Sequence, residues 1–211
     1  MMTPEPPAPC ALITGFGPFP RVARNPSQLL VERLRHLWPE SLAGLRLERR
    51  VLPTDYAASG ALIAEWLSAL RPALWLGIGV GRGTAPVLRL ETTARNWCSD
   101  RPDVAGIARP GALMAEGPAT YSAILPLAAV HAALEGNGHR AVLSDDAGAY
   151  VCNAVFYGAC HTVAAARLPT LCGFLHIPEH DPARAEADEL AALADAVRII
   201  VETTADFLEG V

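Results

Sequence analysis

Several features that would indicate a membrane, secreted or nucleic-acid-binding protein are missing from this chain of 211 residues. Its longest apolar runs, such as 123–130, fall far short of the roughly 20 residues that a membrane-spanning helix needs. The first nine residues, MMTPEPPAP, have neither the basic start nor the apolar stretch of a secretory signal. The formal net charge is -5 and no block of Lys or Arg occurs, so no basic face is expected. We therefore expect a cytoplasmic protein with no nucleic-acid partner and no membrane partner.

A disulfide framework and a structural zinc site are also not expected, although five cysteines are present. Their number is odd, their spacing is irregular and no C-x-x-C pair occurs. In a chain without an export signal, the expected state is five reduced thiols, most of them small buried residues. The five are Cys10, Cys98, Cys152, Cys160 and Cys172.

What the sequence does contain is an alternation of short apolar runs with longer amphipathic stretches. Apolar residues make up 51% of the chain and charged residues 18%, which excludes a disordered protein. The alternation predicts an α/β fold: a single-domain, three-layer α/β/α arrangement with a mostly parallel, twisted central sheet over residues 10–211. A flexible Pro-rich lead-in, residues 1–9, is expected to precede it. Strands are predicted at 10–14, 45–52, 73–78, 141–144 and 171–177, an extended segment at 86–96, and helices at 26–37, 56–70, 124–134, 150–166 and 182–207.

Cys152 lies where a short strand turns into an apolar-periodic helix, in the stretch SDDAGAYVCNAVFYGAC. At a helix N-terminus the helix dipole and the free backbone N–H groups favour a thiolate, and the same N–H groups suit an oxyanion. The alternative is a buried core cysteine, which is also the expectation for Cys160 and Cys172.

Two further candidates accompany this thiol. His176 comes near the end of the apolar strand LCGFLHIP, at the strand end where sites of open α/β sheets gather. A reduced cysteine at a helix start and a histidine at a strand end favour a nucleophile–base pair. Glu91, in LRLETTARN, is a carboxylate in an apolar segment and is costly to bury unless it is paired. It would pair either with an imidazole or with Arg89 or Arg95.

Five segments in order together resemble the pyroglutamyl peptidase I (pyrrolidone-carboxylate peptidase) family of cysteine peptidases, from about residue 11 to about residue 178. They are TGFGPF at 14–19 with NPS at 25–27, Glu91 with Asn96, EGPATY at 116–121 with LP at 125–126, AGAYVCN at 147–153 and GFLHIP at 173–178. The resemblance implies a peptide substrate whose N-terminal pyroglutamyl residue is removed through a thioester acyl-enzyme. It also implies no cofactor, no metal and a homo-oligomer, such as a dimer or tetramer.

The resemblance implies a Cys-His-Glu triad as well. Carried over by position, Cys152 attacks the amide carbonyl, His176 takes its proton and later gives it to the leaving amine, and Glu91 orients the imidazole.

Further site residues follow from the same resemblance. Phe16 and Phe19 would line the pocket for the flat lactam ring, and Asn25 would help to shape it. Arg101 falls on a functional arginine of the family and would polarise the acyl oxygen or support the oxyanion hole. An ion pair with a neighbouring aspartate is its alternative role.

The chain departs from the family pattern at two places. Val80, in the glycine-rich turn 77–83, stands near the position of a glutamine that helps to define the family's substrate pocket. This change makes a thiol amidase or acyltransferase of the same fold, acting on another small acyl group, the alternative function. Pro20-Arg21 replaces the usual glycine pair after the aromatic motif. The same glycines do not predict a dinucleotide site, because an extended segment follows them instead of a helix.

Overall fold

The computed structural model describes residues 8–19, 22–38, 40–82 and 85–210, and nine strands lie in these ranges. They are β1 (Cys10–Phe16), β2 (Ser41–Leu42), β3 (Leu45–Leu52), β4 (Leu74–Val80), β5 (Leu88–Glu91), β6 (Thr93–Arg95), β7 (Thr120–Ser122), β8 (Ala141–Ser144) and β9 (Leu171–Ile177). Seven of them form one sheet in the order β2-β3-β1-β4-β9-β5-β8, and β6 pairs with β7. Most neighbours in the large sheet are parallel, whereas β2–β3 and β9–β5 are antiparallel.

Helices cover both faces of the large sheet. Those in the described ranges are α1 (Pro26–Leu37), α2 (Tyr56–Leu70), α3 (Leu127–Gly136), α4 (Val151–Ala166) and α5 (Glu186–Glu209). Helix α5 contacts α1 and α3 on one face, and α2 contacts α4 on the other. The predicted α/β fold with a mostly parallel central sheet is confirmed.

Alternation of side chains along the strands divides the core into two clusters and determines where polar residues emerge. Leu76 and Leu175 belong to the cluster beneath α1, α3 and α5. Trp75 and Phe174 belong to the cluster beneath α2 and α4. Since His176 follows Phe174 by two residues, its side chain lies on the α2/α4 face.

Several predicted elements have the observed bounds, namely the helices 26–37 and 56–70 and the strands 45–52, 141–144 and 171–177. The extended segment 86–96 is instead two strands in different sheets, β5 and β6, separated by Thr92. The helix predicted at 124–134 begins at Leu127, because Pro126 occupies its N-cap position. The last helix begins at Glu186, four residues later than predicted.

Some predictions concern residues that the structure does not describe. Residues 1–7 of the predicted lead-in and the Pro20-Arg21 departure lie outside the described ranges. Within those ranges, no helix combines the length and the apolar character needed to cross a membrane.

Candidate active site

His176 and Glu91 form a buried hydrogen-bonded pair on the α2/α4 face. Nδ1 of His176, on β9, donates to Oε1 of Glu91, on β5, over 2.7 Å. Because a carboxylate only accepts hydrogen bonds, this contact keeps a proton on Nδ1 and directs Nε2 towards a second partner. Glu91 is fully buried and His176 is 5% exposed, so water screens the pair very little.

Cys152 lies beside this pair, in the first turn of α4. A Cβ atom added to Gly79 would be 2.9 Å from the Cys152 sulfur and 3.0 Å from Cδ2 of His176. The sulfur and the imidazole therefore approach the same point above β4, and any larger residue at Gly79 would occupy that space. The structure thus brings Cys152, His176 and Glu91 together from α4, β9 and β5.

The surroundings of His176 favour its protonated form. Burial of the ring lowers its pKa, but the interaction with Cys152, the hydrogen bond to Glu91 and the negative charges of a thiolate and a carboxylate together raise the pKa to about 9. The imidazole is then largely cationic at neutral pH. A cationic imidazole beside a sulfur is the arrangement that activates cysteine nucleophiles.

Glu91 makes both of the pairings that the sequence left open. Besides its hydrogen bond to His176, its Oε1 lies 3.9 Å from Nε of Arg89. Arg95 pairs elsewhere, with Nη2 3.6 Å from Oδ2 of Asp145. The second carboxylate oxygen of Glu91 has no hydrogen-bond partner within the described ranges. The charge of this buried carboxylate is therefore balanced chiefly through Oε1.

No described residue accepts a hydrogen bond from the first backbone N–H groups of α4, which lie next to the sulfur. Tyr150 is the N-cap residue in extended conformation, and among the described residues no side chain caps the helix there. Ala154 N donates to Tyr150 O, which closes the first turn of the helix. The N–H groups before Ala154 point out of the helix end, where the helix dipole is positive. This arrangement would suit a negatively charged oxygen bound next to the Cys152 sulfur.

Arg101 lies beside the same helix start. Its guanidinium carbon is 4.2 Å from the centre of the Tyr150 ring, within cation–π distance. In the part of the chain that the structure describes, neither Asp100 nor Asp103 forms an ion pair with it. Asp103 instead accepts hydrogen bonds from backbone N–H groups, including that of Tyr56.

Two aromatic rings pack next to this group of side chains. The ring of Phe174 is 5.1 Å from that of His176 and lies edge-on to it. Phe16, at the end of β1, is 2% exposed, with its ring 6.3 Å from that of Phe174. Phe16 therefore lies close to the candidate site. Phe174 was missed, because a phenylalanine in an apolar strand is usually a core residue.

The loop after Phe16 is held by hydrogen bonds from the start of α1. Asn25 caps this helix by accepting a hydrogen bond from Ser27 N over 3.0 Å, and its Nδ2 donates to Gly17 O over 2.8 Å. Phe19, half-buried in this loop, forms an isolated bridge with Val22. The side chain of Asn25 therefore positions the loop that carries Phe19.

Val80, predicted as a pocket residue, lies on the opposite face of the sheet from Cys152, His176 and Glu91. It packs against the core cluster beneath α1, α3 and α5. Its neighbour Gly79 faces Cys152 instead, since successive residues of a strand point to opposite faces.

The chain is similar to known peptidases over nearly its whole length. The family model described as Pyroglutamyl peptidase matches residues 10–203. Pyrrolidone-carboxylate peptidase 1 of Ralstonia nicotianae is 37% identical over 205 residues, which cover 93% of this chain and 93% of that protein. The chain belongs to the pyroglutamyl peptidase family.

Solved structures agree with this assignment. The pyrrolidone carboxyl peptidase of Thermococcus litoralis superposes with a TM-score of 0.86 at 25% identity, covering 96% of each chain. The pyroglutamyl peptidase I of Bacillus amyloliquefaciens superposes with a TM-score of 0.84 at 27% identity, covering 94% of this chain and 95% of that one. The family resemblance inferred from the sequence motifs is confirmed, and the chain is a peptidase.

The peptidase also contains a buried polar residue next to Cys152 that the sequence analysis did not single out. Asn153 is fully buried, and its Nδ2 donates to the carbonyl oxygens of Arg95 and Trp97, each over 2.9 Å. Its Oδ1 accepts from Arg95 N over 2.9 Å. Asn153 thus ties the first turn of α4 to the segment that follows β5. A polar amide in an otherwise apolar helix was the signal available in the sequence.

We expect iodoacetamide to label Cys152 faster than the other four thiols of the peptidase at neutral pH. Cys152 is half-buried, whereas the other four are buried. Burial raises the pKa of Cys98 to about 11 and also raises that of Cys10, so both stay protonated and unreactive. Peptide mass spectrometry after short exposures measures the five rates. Labelling of Cys10 or Cys98 at the rate of Cys152 would contradict a specially activated thiol.

Proposed function

We propose that the chain removes N-terminal pyroglutamyl residues from peptides by means of Cys152, His176 and Glu91. The proposal rests on the contacts among these three residues, in a chain that belongs to the pyroglutamyl peptidase family. A 2.7 Å hydrogen bond joins His176 to Glu91, and the imidazole shares with the Cys152 sulfur the space above Gly79. In this arrangement Cys152 would be the nucleophile, His176 the base and Glu91 the carboxylate that orients the base.

In the acylation step, the Cys152 thiolate attacks the acyl carbonyl of the pyroglutamyl residue and forms a C–S bond. The resulting oxyanion is stabilised by the N–H groups at the start of α4, with Arg101 beside them. When the C–N bond breaks, protonated His176 gives its Nε2 proton to the leaving amine, and a thioester remains on Cys152. Glu91 keeps the imidazole oriented and stabilises its cation.

In the deacylation step, water attacks the thioester while neutral His176 accepts its proton. The C–S bond breaks, pyroglutamate leaves and the thiolate–imidazolium pair is restored.

The pyroglutamyl ring would bind on the β1 side of Cys152. The ring of Phe16, which is 2% exposed, would form the base of that pocket, and Phe19 would close the pocket from the loop. Asn25 acts indirectly, through its hydrogen bond to Gly17 O.

The same proposal includes the domain organisation, the cellular compartment and the oligomeric state of the enzyme. Residues 10–211 would act as one domain, of which the family model matches 10–203. All five cysteines are free, which suits a reducing compartment such as the cytoplasm. Exposed large side chains, among them Trp97, Ile107 and Leu143, would be covered in a homo-oligomer.

A panel of aminomethylcoumarin amides tests the proposed function. We expect a kcat/KM for the pyroglutamyl amide at least about 100-fold above those of the prolyl and glutamyl amides, because their charged amines cannot be buried unpaired against aromatic rings. Fluorescence release measures each rate, and enzyme alkylated at Cys152 serves as the control. Faster turnover of another small acyl amide would contradict the proposal and favour the thiol amidase or acyltransferase function.

A further inference from the structure

A small recess of about 120 Å³ lies beside His176. The residues that line it include Gly81, Arg82, Val87, Arg89, His176 and Pro178. None of the described residues that line it is acidic, and two are arginines. The recess therefore combines the imidazole with a local excess of positive charge.

The position of the recess follows from the order of the strands, β1-β4-β9-β5. His176 lies between Gly79 of β4 and Arg89 of β5 in the pairing register. Phe16 ends β1, beyond β4. From β1 to β5 across the α2/α4 face, the proposed acyl pocket beside Phe16 comes first. The space above Gly79, where attack would occur, comes next, and the imidazole of His176 and the side chain of Arg89 follow.

The guanidinium of Arg89 reaches across β9 next to the imidazole. A Cβ atom added to Gly81 would be 2.1 Å from Nη2 of Arg89 and 3.3 Å from Cβ of His176. The side chain of Arg89 is 35% exposed, and its Nε lies 3.9 Å from the buried Glu91. Its Nη2 atom therefore lies away from the Glu91 contact, beside Gly81, which lines the recess. Arg82 is exposed and forms no ion pair with any residue of the described ranges.

We propose that the recess receives the leaving group of the reaction and that Arg89, assisted by Arg82, binds a carboxylate on it. The inference rests on the proposed function. His176 protonates the leaving amine, so this nitrogen must lie within hydrogen-bond reach of the imidazole. In a pyroglutamyl dipeptide the α-carboxylate is joined to that nitrogen through a single carbon atom. The carboxylate then falls beside the ring, where a guanidinium can bind it with two parallel hydrogen bonds.

The test compares kcat/KM for pyroglutamyl-alanine with that for pyroglutamyl-alanine amide, by chromatographic measurement of released pyroglutamate. We expect the unmodified enzyme to prefer the free acid at least about tenfold, the usual effect of one hydrogen bond to a charged group. The preference should weaken as salt concentration rises. A second comparison, of kcat/KM for pyroglutamyl-aspartate amide with that for pyroglutamyl-asparagine amide, measures whether a side-chain carboxylate is bound as well.

Variants assign the preference to Arg89. Arg89→Gln should bring the ratio of the two kcat/KM values close to one. The ratio cancels any general loss of rate that follows from disturbing Glu91, because both substrates are measured on the same enzyme. Gly81→Ala should lower the ratio too, since the added methyl displaces the guanidinium without removing its charge. Arg33→Gln, an exposed arginine of α1 on the opposite face, is the matched control and should keep the original ratio.

Equal rates for acid and amide on the unmodified enzyme would overturn the inference and leave the proposed function standing. So would a ratio that survives both Arg89→Gln and Gly81→Ala. If no pyroglutamyl compound is hydrolysed, the proposed function fails, and the inference fails with it.

Discussion

Replacing Cys152 by alanine is expected to lower kcat for a pyroglutamyl amide by at least about 10⁴-fold, because no other group near His176 can form the acyl-enzyme. His176 and Glu91, the other members of the proposed triad, should not restore the rate, since residues that act as a unit are not additive. Cys152 is half-buried and the change only removes its sulfur, so the variant should fold. Fluorescence release measures the rate and circular dichroism checks the fold.

Cys10→Ala is the matched control. Cys10 is a buried thiol at the start of β1, far along that strand from Phe16 and the site. This variant should keep the activity of the unmodified enzyme. Turnover that persists in Cys152→Ala would remove Cys152 from the mechanism.

Glu91→Gln is expected to lower kcat by up to about 10⁴-fold, the cost of the corresponding change in serine peptidase triads. An amide can offer its N–H to the imidazole, which favours the wrong tautomer, and it cannot stabilise the imidazolium. Because the carboxylate is one of the groups that raise the pKa of His176 to about 9, its loss should lower that pKa. The alkaline limb of the kcat/KM profile should therefore lie near pH 9 in the unmodified enzyme and move to lower pH in the variant.

The same variant should change how stability depends on pH. The pKa of His176 rises on folding from 6.5 to about 9, so its contribution to stability is fully present below pH 6.5 and is lost as pH rises through about 9. The free energy of unfolding should fall across this window in the unmodified enzyme and fall less in Glu91→Gln. Urea unfolding at fixed protein concentration measures both. Glu65→Gln, an exposed residue of α2, is the control; an unchanged pH profile in Glu91→Gln would contradict the assigned role of the carboxylate.

Local signals explain why some elements could be predicted so closely. Asn25 and Pro26 form an N-cap followed by proline at the first helical position, and α1 begins there. Strand β9 is a continuous apolar run between turn residues, and its bounds follow. The break at Thr92 could not be predicted in this way, because an extended sequence carries no information about which sheet it joins. Nor does periodicity give strand direction, so the antiparallel pairing of β5 with β9 is visible only in the structure.

The sequence by itself determined most of the strands and helices along the chain, the family and the residue types of the candidate triad, since these depend on local patterns and short motifs. Only the tertiary structure decided that Glu91 lies 2.7 Å from a histidine 85 residues away, that Gly79 leaves room for the sulfur, and that Val80 faces the opposite core. It also decided that Arg89 reaches across β9 beside the imidazole. These contacts depend on strand order and on register, and a shift of one residue along a strand would turn each of these side chains to the other face.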